Sequence, residues 1–246
     1  MENLTAHMIV QNEENWIYYA INSVLPHVVQ IIIYDTGSID KTVQIIKTIN
    51  NPKILFEEKG EVDAVKMVAL RNEQIEKTKT SWFMLVDGDE IYPSRIFDKI
   101  KLNENYNGFY LRNYLCVGDV WHKLQERYGK YELCDHKGHF NLRFYRKQPG
   151  WKWLGKYPLE YYASPKGESI NLMCNKLKFV DDYYWHVSFL KRSRIKEKNI
   201  IKYHLGEKIT DVPEVLKGKH LAKRSIYYIS RSLIDTPLRY LKSFIK

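Results

Sequence analysis

An α/β fold, with a mainly parallel sheet sandwiched by helices, is the class the sequence predicts. Three observations carry it. Short apolar runs alternate with helix-spaced segments over the first ninety residues, several of those runs are apolar on both faces, and polar or acidic residues gather directly after each one. Leu4 to Val10 reads as the first strand. Glu13 to Leu25 follows as a helix with Ile17, Ala20, Ile21 and Val24 at helical spacing, closed by Pro26. Ile31 to Tyr34 is a second strand, Asp40 to Ile49 a helix with Val43, Ile46 and Ile49 on one face, and Ile54 to Glu57 a third strand. Asp63 to Lys77 repeats the helix, and Trp82 to Val86 (WFMLV) ends the alternation as a fourth strand.

The later chain is less regular. Gly108 to Cys116 and Asn141 to Tyr145 have the aromatic, alternating content of strands, and Gly118 to Gly138 reads as a loop-rich insertion. From Leu190 the composition turns basic: Lys191 to His204 and Lys219 to Lys246 carry Lys and Arg among apolar residues at helical spacing, the second broken once by Pro237. The expected organisation is a domain over residues 1–190, with halves 1–100 and 101–190, followed by a basic helical extension over 191–246.

Composition narrows the classes. With 44% hydrophobic residues the 246-residue chain has material for a core, and no apolar run nears the roughly 20 residues of a spanning helix. No secretory signal precedes the first strand, so the expected compartment is the cytosol. Cys116, Cys134 and Cys174 are too few and scattered for a disulfide framework, which predicts reduced thiols. Thirty-nine Lys and Arg against 29 Asp and Glu leave a charge of +10, which asks for an anionic partner.

In sheets of this class ligands bind beyond the carboxyl ends of the strands. There the sequence has Gln11-Asn12-Glu13, Asp35 to Ser38, Glu58 to Gly60, and Asp87-Gly88-Asp89-Glu90. Asp87 and Asp89, two apart in an extended segment, would face one site and hold a hard divalent ion, Mg²⁺ or Mn²⁺, completed by substrate phosphates. Gly88 would leave room for a bulky anion, and a solvated acidic turn is the alternative. Asp35, at the tip of the second strand, can accept hydrogen bonds from a ring N–H or a ribose hydroxyl, or belong to the turn that Gly37 and the capping Asp40 suggest. Cys134-Asp135-His136 with His139 carries fragments of a zinc site, without an evident fourth ligand. Trp121, Trp151, Trp153 and Tyr157 are rings that could stack on sugars or simply pack.

Taken in order, the strand ending in QNEE, then YDTGSIDKT, then ALRNEQ before WFMLVDGDE, then NLRFYRKQPGWKWLGKYPLE and YYWHVSFLKRSRIKEKN, resemble the family 2 glycosyltransferases of the GT-A fold, in particular the branch of lipopolysaccharide-core glucosyltransferases. The resemblance covers about residues 4 to 203. It implies an inverting, metal-dependent transfer of a sugar from a nucleotide-sugar, a UDP-sugar being favoured, to a glycan, glycolipid or glycoprotein hydroxyl. It also implies roles: Asp35 on the base, Asp87 on the ribose, Asp89 on the metal, Arg71 near the diphosphate or sugar, Glu160 as general base, and His186 on the metal or diphosphate. Tyr-Pro-Leu before Glu160 departs from the family's usual Val-His, and an exposed carboxylate or an ion pair is its alternative. Among aromatics, His186 could equally be a packed core residue.

Two other classes stay in view. A sugar-phosphate nucleotidyltransferase would open on a Gly-rich loop where this chain has QNEEN. A basic nucleic-acid or membrane module would not line its sheet rim with acids, and no nucleic-acid partner is expected. The tail over 219–246 has the make-up of a helix lying on an anionic membrane, which predicts peripheral contact and a lipid-linked acceptor, or else of a helix packed on the domain.

Overall fold

The computed structural model describes residues 1–129, 131–191, 203–219 and 221–244, without the side chains of residues 127 and 238–244. Lys191 to His204, expected to be helical, therefore lies mostly outside the described residues. In chain order the strands are β1 Leu4–Val10, β2 Gln30–Asp35, β3 Ile54–Glu58, β4 Trp82–Leu85, β5 Glu90–Ile91, β6 Gly108–Leu115, β7 His122–Lys123, β8 Tyr131–Leu133, β9 His136–Gly138, β10 Phe140–Arg146, β11 Lys152–Leu154, β12 Tyr161–Ala163, β13 Leu177–His186 and β14 Glu207–Lys208. The helices are α1 Ile17–Val24, α2 Thr42–Thr48, α3 Ala64–Lys77, α4 Arg95–Lys99 and α5 Ile226–Phe244.

Eight strands form one sheet in the order β3-β2-β1-β4-β10-β6-β13-β5. The first four are parallel, β10 runs antiparallel between β4 and β6, β13 is parallel to β6, and β5 closes the edge antiparallel. The chain moves outward from β1 to β3 and then returns to place β4 on the other side of β1. That reversal makes the gap between the ends of β1 and β4 the topological switch point, where open α/β sheets bind ligands.

The apolar pattern explains the two-sided burial. In β4, Trp82 and Met84 enter the core cluster on one face while Phe83 and Leu85 enter that on the other, so no position of the strand meets water. Leu4, Ala6, Met8 and Val10 of β1 pack with Ile17, Ile21 and Val24 of α1. Opposite, Val68 and Ile75 of α3 lie against Phe83 and Leu85. Asp63 caps α3 by accepting from the N–H groups of Val65 and Lys66, an arrangement worth about 1 kcal/mol.

Three expectations are corrected. Cys134 and Cys174 are joined in a disulfide across 40 residues, with Cα atoms 5.5 Å apart, and only Cys116 is a free, buried thiol. Cys134 is thereby removed from any zinc set. The insertion over Gly118 to Gly138 is not loop alone: β8 and β9 form a hairpin in it, and β7 pairs with the distant β14. Finally, Pro237 lies inside α5 rather than breaking it. Among the described residues no helix is long and apolar enough to cross a membrane.

Candidate active site

Two cavities share a wall at the ends of β1 and β4. The smaller, about 160 Å³, is lined by Gln11, Glu13, Asp87, Gly88, Asp89 and His186. The larger, about 340 Å³, includes Arg71, Asp87, Arg143, Tyr157 and Glu160. Asp87 borders both. Of the predicted site residues, Arg71, Asp87, Asp89, Glu160 and His186 are thus brought to one region, and Asp35 lines neither cavity.

The acidic segment after β4 is a tight turn, not an extended strand: the N–H of Glu90 donates to the carbonyl of Asp87 at 3.0 Å. Asp89, almost fully buried, faces His186 with Nε2 to Oδ2 at 3.5 Å, while the half-exposed Asp87 accepts from Arg143 Nη2 at 3.0 Å. Gly88 also has a different reason for being glycine. A Cβ there would meet Glu13 Cγ at 2.7 Å, so the space is taken by the buried Glu13 and not by a ligand.

Sequence reasoning passed over the residue at the centre of this region. Arg143 is the extra residue of a β-bulge in β10, between Leu142, opposite Tyr110, and Phe144, opposite Phe109. A bulge re-aims a side chain, and here it turns a buried guanidinium onto Asp87, the Glu90 carboxylate and, at 3.3 Å, the Tyr184 hydroxyl. An Arg inside the apolar run FNLRFY was the available signal, since a charge is rarely buried without a partner. Glu90 is fully buried, and its Oε2 accepts from the Tyr92 hydroxyl at 3.1 Å.

The electrostatics follow from this packing. Burial pushes the Glu90 carboxyl up to about 7, although Arg143 pulls the other way. For Asp87 burial also raises the pKa, but Arg143, Arg71 and His186 more than offset it and hold the group below its ordinary value. Burial lowers the pKa of His186, yet Asp89 and Glu90 outweigh that and lift it to about 9. Its Nε2 lies 3.5 Å from Asp89 Oδ2, and a ring nitrogen must be free of its proton to act as a metal ligand. Among the described residues no three acidic, His or Cys groups form a ready ligand set. Two carboxylates on one polar cavity nevertheless fit a hard cation that takes its other ligands from water or phosphate.

Glu160 and Arg71 are partners. Arg71 Nε donates to Glu160 Oε1 at 2.9 Å, with both side chains buried, so the guanidinium is committed to the carboxylate and also stacks over Trp153 at 5.4 Å. Among the described residues, the buried Glu160 Oε2 has no hydrogen-bond partner. Asp35 is instead bound into its own turn: its Oδ2 accepts from the N–H groups of Gly37 and Ser38 at 3.0 and 2.9 Å, and its Oδ1 meets the Ser38 hydroxyl. Gly37 adopts φ +88°, which favours glycine. Trp153 and Tyr157 line the larger cavity; Trp121 and Trp151 do not.

Comparison with known proteins identifies the family of the chain. Residues 5–150 match the model of glycosyl transferase family 2. No curated protein matches the sequence. Solved structures similar to this chain include S. aureus TarS 1-349, at 14% identity with 76% of this chain and 61% of that one covered and a TM-score of 0.48. A mannosyltransferase from Pyrobaculum calidifontis in complex with GDP-Man and Mn²⁺ aligns at 12% identity over 74% of this chain and 56% of its own, TM-score 0.48. Glucosyl-3-phosphoglycerate synthase from Mycobacterium tuberculosis aligns at 15% identity over 76% and 72%, TM-score 0.46. The chain thus spans less than two thirds of the first two of these proteins. With more than half of its length inside the matched segment, the chain belongs to glycosyl transferase family 2.

Proposed function

We propose that the chain transfers a sugar from a nucleotide-sugar, a UDP-sugar by preference, to a hydroxyl of a glycan, glycolipid or glycoprotein acceptor, inverting the anomeric carbon. The observation that carries this reading is the Glu160 carboxylate. One oxygen is fixed by Arg71, and the other is buried without a partner in a residue lining a cavity that also holds Asp87. Leaving such an oxygen unsatisfied costs about 1–3 kcal/mol, a cost that a waiting substrate proton would justify.

In this reading the acceptor hydroxyl gives its proton to Glu160 Oε2 as its oxygen attacks the anomeric carbon. The bond from that carbon to the diphosphate breaks, and its electron pair leaves with the nucleotide. Arg71 keeps Glu160 aimed through the bond from its Nε to Oε1. Arg143 holds Asp87 at the boundary between the two cavities. Mg²⁺ or Mn²⁺ held by Asp89 and Asp87, with His186 as a further contact, would supply the positive charge that the departing diphosphate needs. Asp35 contacts the nucleotide base only if its turn opens or shares its carboxylate.

Glu160→Gln tests the reading. Transfer should fall by about 10²–10⁴-fold while nucleotide-sugar binding persists, read by thermal shift against UDP-, GDP- and TDP-sugars with and without Mn²⁺. An undiminished transfer rate removes Glu160 as the base. A retained anomeric configuration in the product, seen by NMR, removes the single displacement.

A further inference from the structure

The C-terminal helix is docked the wrong way round for a helix that merely completes a core. An amphipathic surface helix ordinarily turns its apolar stripe inward. In α5 the residues that meet the domain are Tyr228, Ser232 and Thr236: the Tyr228 hydroxyl accepts from the N–H of His204, and the Thr236 hydroxyl from that of Leu205. Tyr228 and Ser232 are buried, whereas Ile226 is 84% exposed and Leu233 and Ile234 are each 56% exposed. Ile229 extends the same outward stripe, and Tyr227, though exposed, sits at its edge with its ring against Tyr203. The docking is specific, because just ahead of the helix Arg224 donates its N–H to Asp119 at 3.3 Å and its guanidinium to the Leu205 carbonyl.

Charge identifies what this face meets. From Lys217 to Lys246 the sequence has eight Lys or Arg and one acid, Asp235, which is paired with Arg231 at 3.3 Å. Arg239, Lys242 and Lys246 belong to that count, and their side chains lie outside the described residues. Isoleucine, leucine and tyrosine on a helix flanked on both sides by Lys and Arg is the composition that settles at the boundary between headgroups and acyl chains of an anionic bilayer. The position is also informative. Asp119, to which Arg224 is tied, lies just beyond the end of β6, and β6 pairs with β13 at Leu115 and His186. The start of α5 is therefore tied to the same rim of the sheet as the candidate active site.

We propose that the exposed face of α5 seats the protein on an anionic lipid surface, holding the active-site rim toward that surface. The stripe supplies insertion, and the surrounding Lys and Arg supply attraction. This surface does not rest on the transferase reading, and its test measures no transfer.

The full chain would be sedimented with vesicles of phosphatidylcholine alone and of phosphatidylcholine mixed with phosphatidylglycerol. Binding is expected only to the anionic vesicles, weakening with added salt. The double variant Leu233→Glu, Ile234→Glu, whose side chains touch solvent and so leave the fold intact, should partition at least about tenfold more weakly. An unchanged variant overturns the proposal, as does equal binding of the wild type to both vesicle types. So does wild-type protein that ignores vesicles and runs in the ultracentrifuge as a dimer that the double variant breaks, which would assign the stripe to a second copy of the chain. Circular dichroism of the variant separates lost partitioning from lost folding.

Discussion

Two acidic turns follow parallel strands in this protein, and they use their carboxylates in opposite ways. After β2, Asp35 spends both oxygens on the N–H groups of Gly37 and Ser38 and the hydroxyl of Ser38. After β4, Asp87 and Asp89 face Arg143 and His186, side chains delivered by β10 and β13 from far along the chain. An acid closed within its own loop shapes that loop, whereas an acid matched to cations from other elements marks a place where charge is managed. Position at a strand end does not distinguish the two; the origin of the partners does.

The largest expected effect comes from removing the second kind of acid. Asp89→Asn should lower sugar transfer by at least about 10³-fold, equivalent to roughly 4 kcal/mol of barrier, with a melting temperature near that of the wild type. A variant that transfers normally would reduce the turn after β4 to the same structural role as that after β2. Next is Arg143→Met, which strips the buried Glu90 of its counter-charge and should destabilise the fold by about 3 kcal/mol at pH 8 in urea titrations. Glu90 has a folded pKa raised to about 7, above its ordinary 4.5, and loss of Arg143 raises it further. Between pH 4.5 and 7 the folded carboxyl is protonated in both proteins and they lose stability in step; above pH 7 only the variant still holds that proton, so the deficit should be smallest below pH 7 and grow as pH rises beyond it. A deficit independent of pH would show that Arg143 matters for packing alone. The smallest effect is expected for Asp35→Ala, about 1–2 kcal/mol from the lost turn hydrogen bonds. Weakened nucleotide binding at unchanged stability would move Asp35 into the binding machinery instead.

What sequence can show follows the same divide. Strands β1, β2 and β4 were legible because each is buried on both faces and so reads as an apolar run, while β3, the half-buried edge, was legible from its short apolar start at Ile54 to Phe56. Helix α1 starts later than its apolar spacing suggests, at Ile17, because Glu13 to Trp16 form a turn anchored when the N–H of Glu13 donates to Thr42 Oγ1. Strand β13 was not legible, since the bulge at Asp181 and Asp182 interrupts its alternation, with Asp182 serving Arg95 and Lys99. Local pattern could not show Arg143 meeting Glu90 across 53 residues, or Arg71 meeting Glu160 across 89, because such pairings exist only once the sheet has formed.

The bond between Cys134 and Cys174 has a bearing on how this protein is handled. It links the hairpin that contributes Tyr131 and Leu133 to the larger cavity with the stretch that contributes Asn171. Closing a loop of 40 residues in this way removes about 4 kcal/mol of freedom from the unfolded chain. Samples kept in dithiothreitol and samples kept in air are therefore two different preparations where this cavity wall is concerned, and acceptor screening belongs in both.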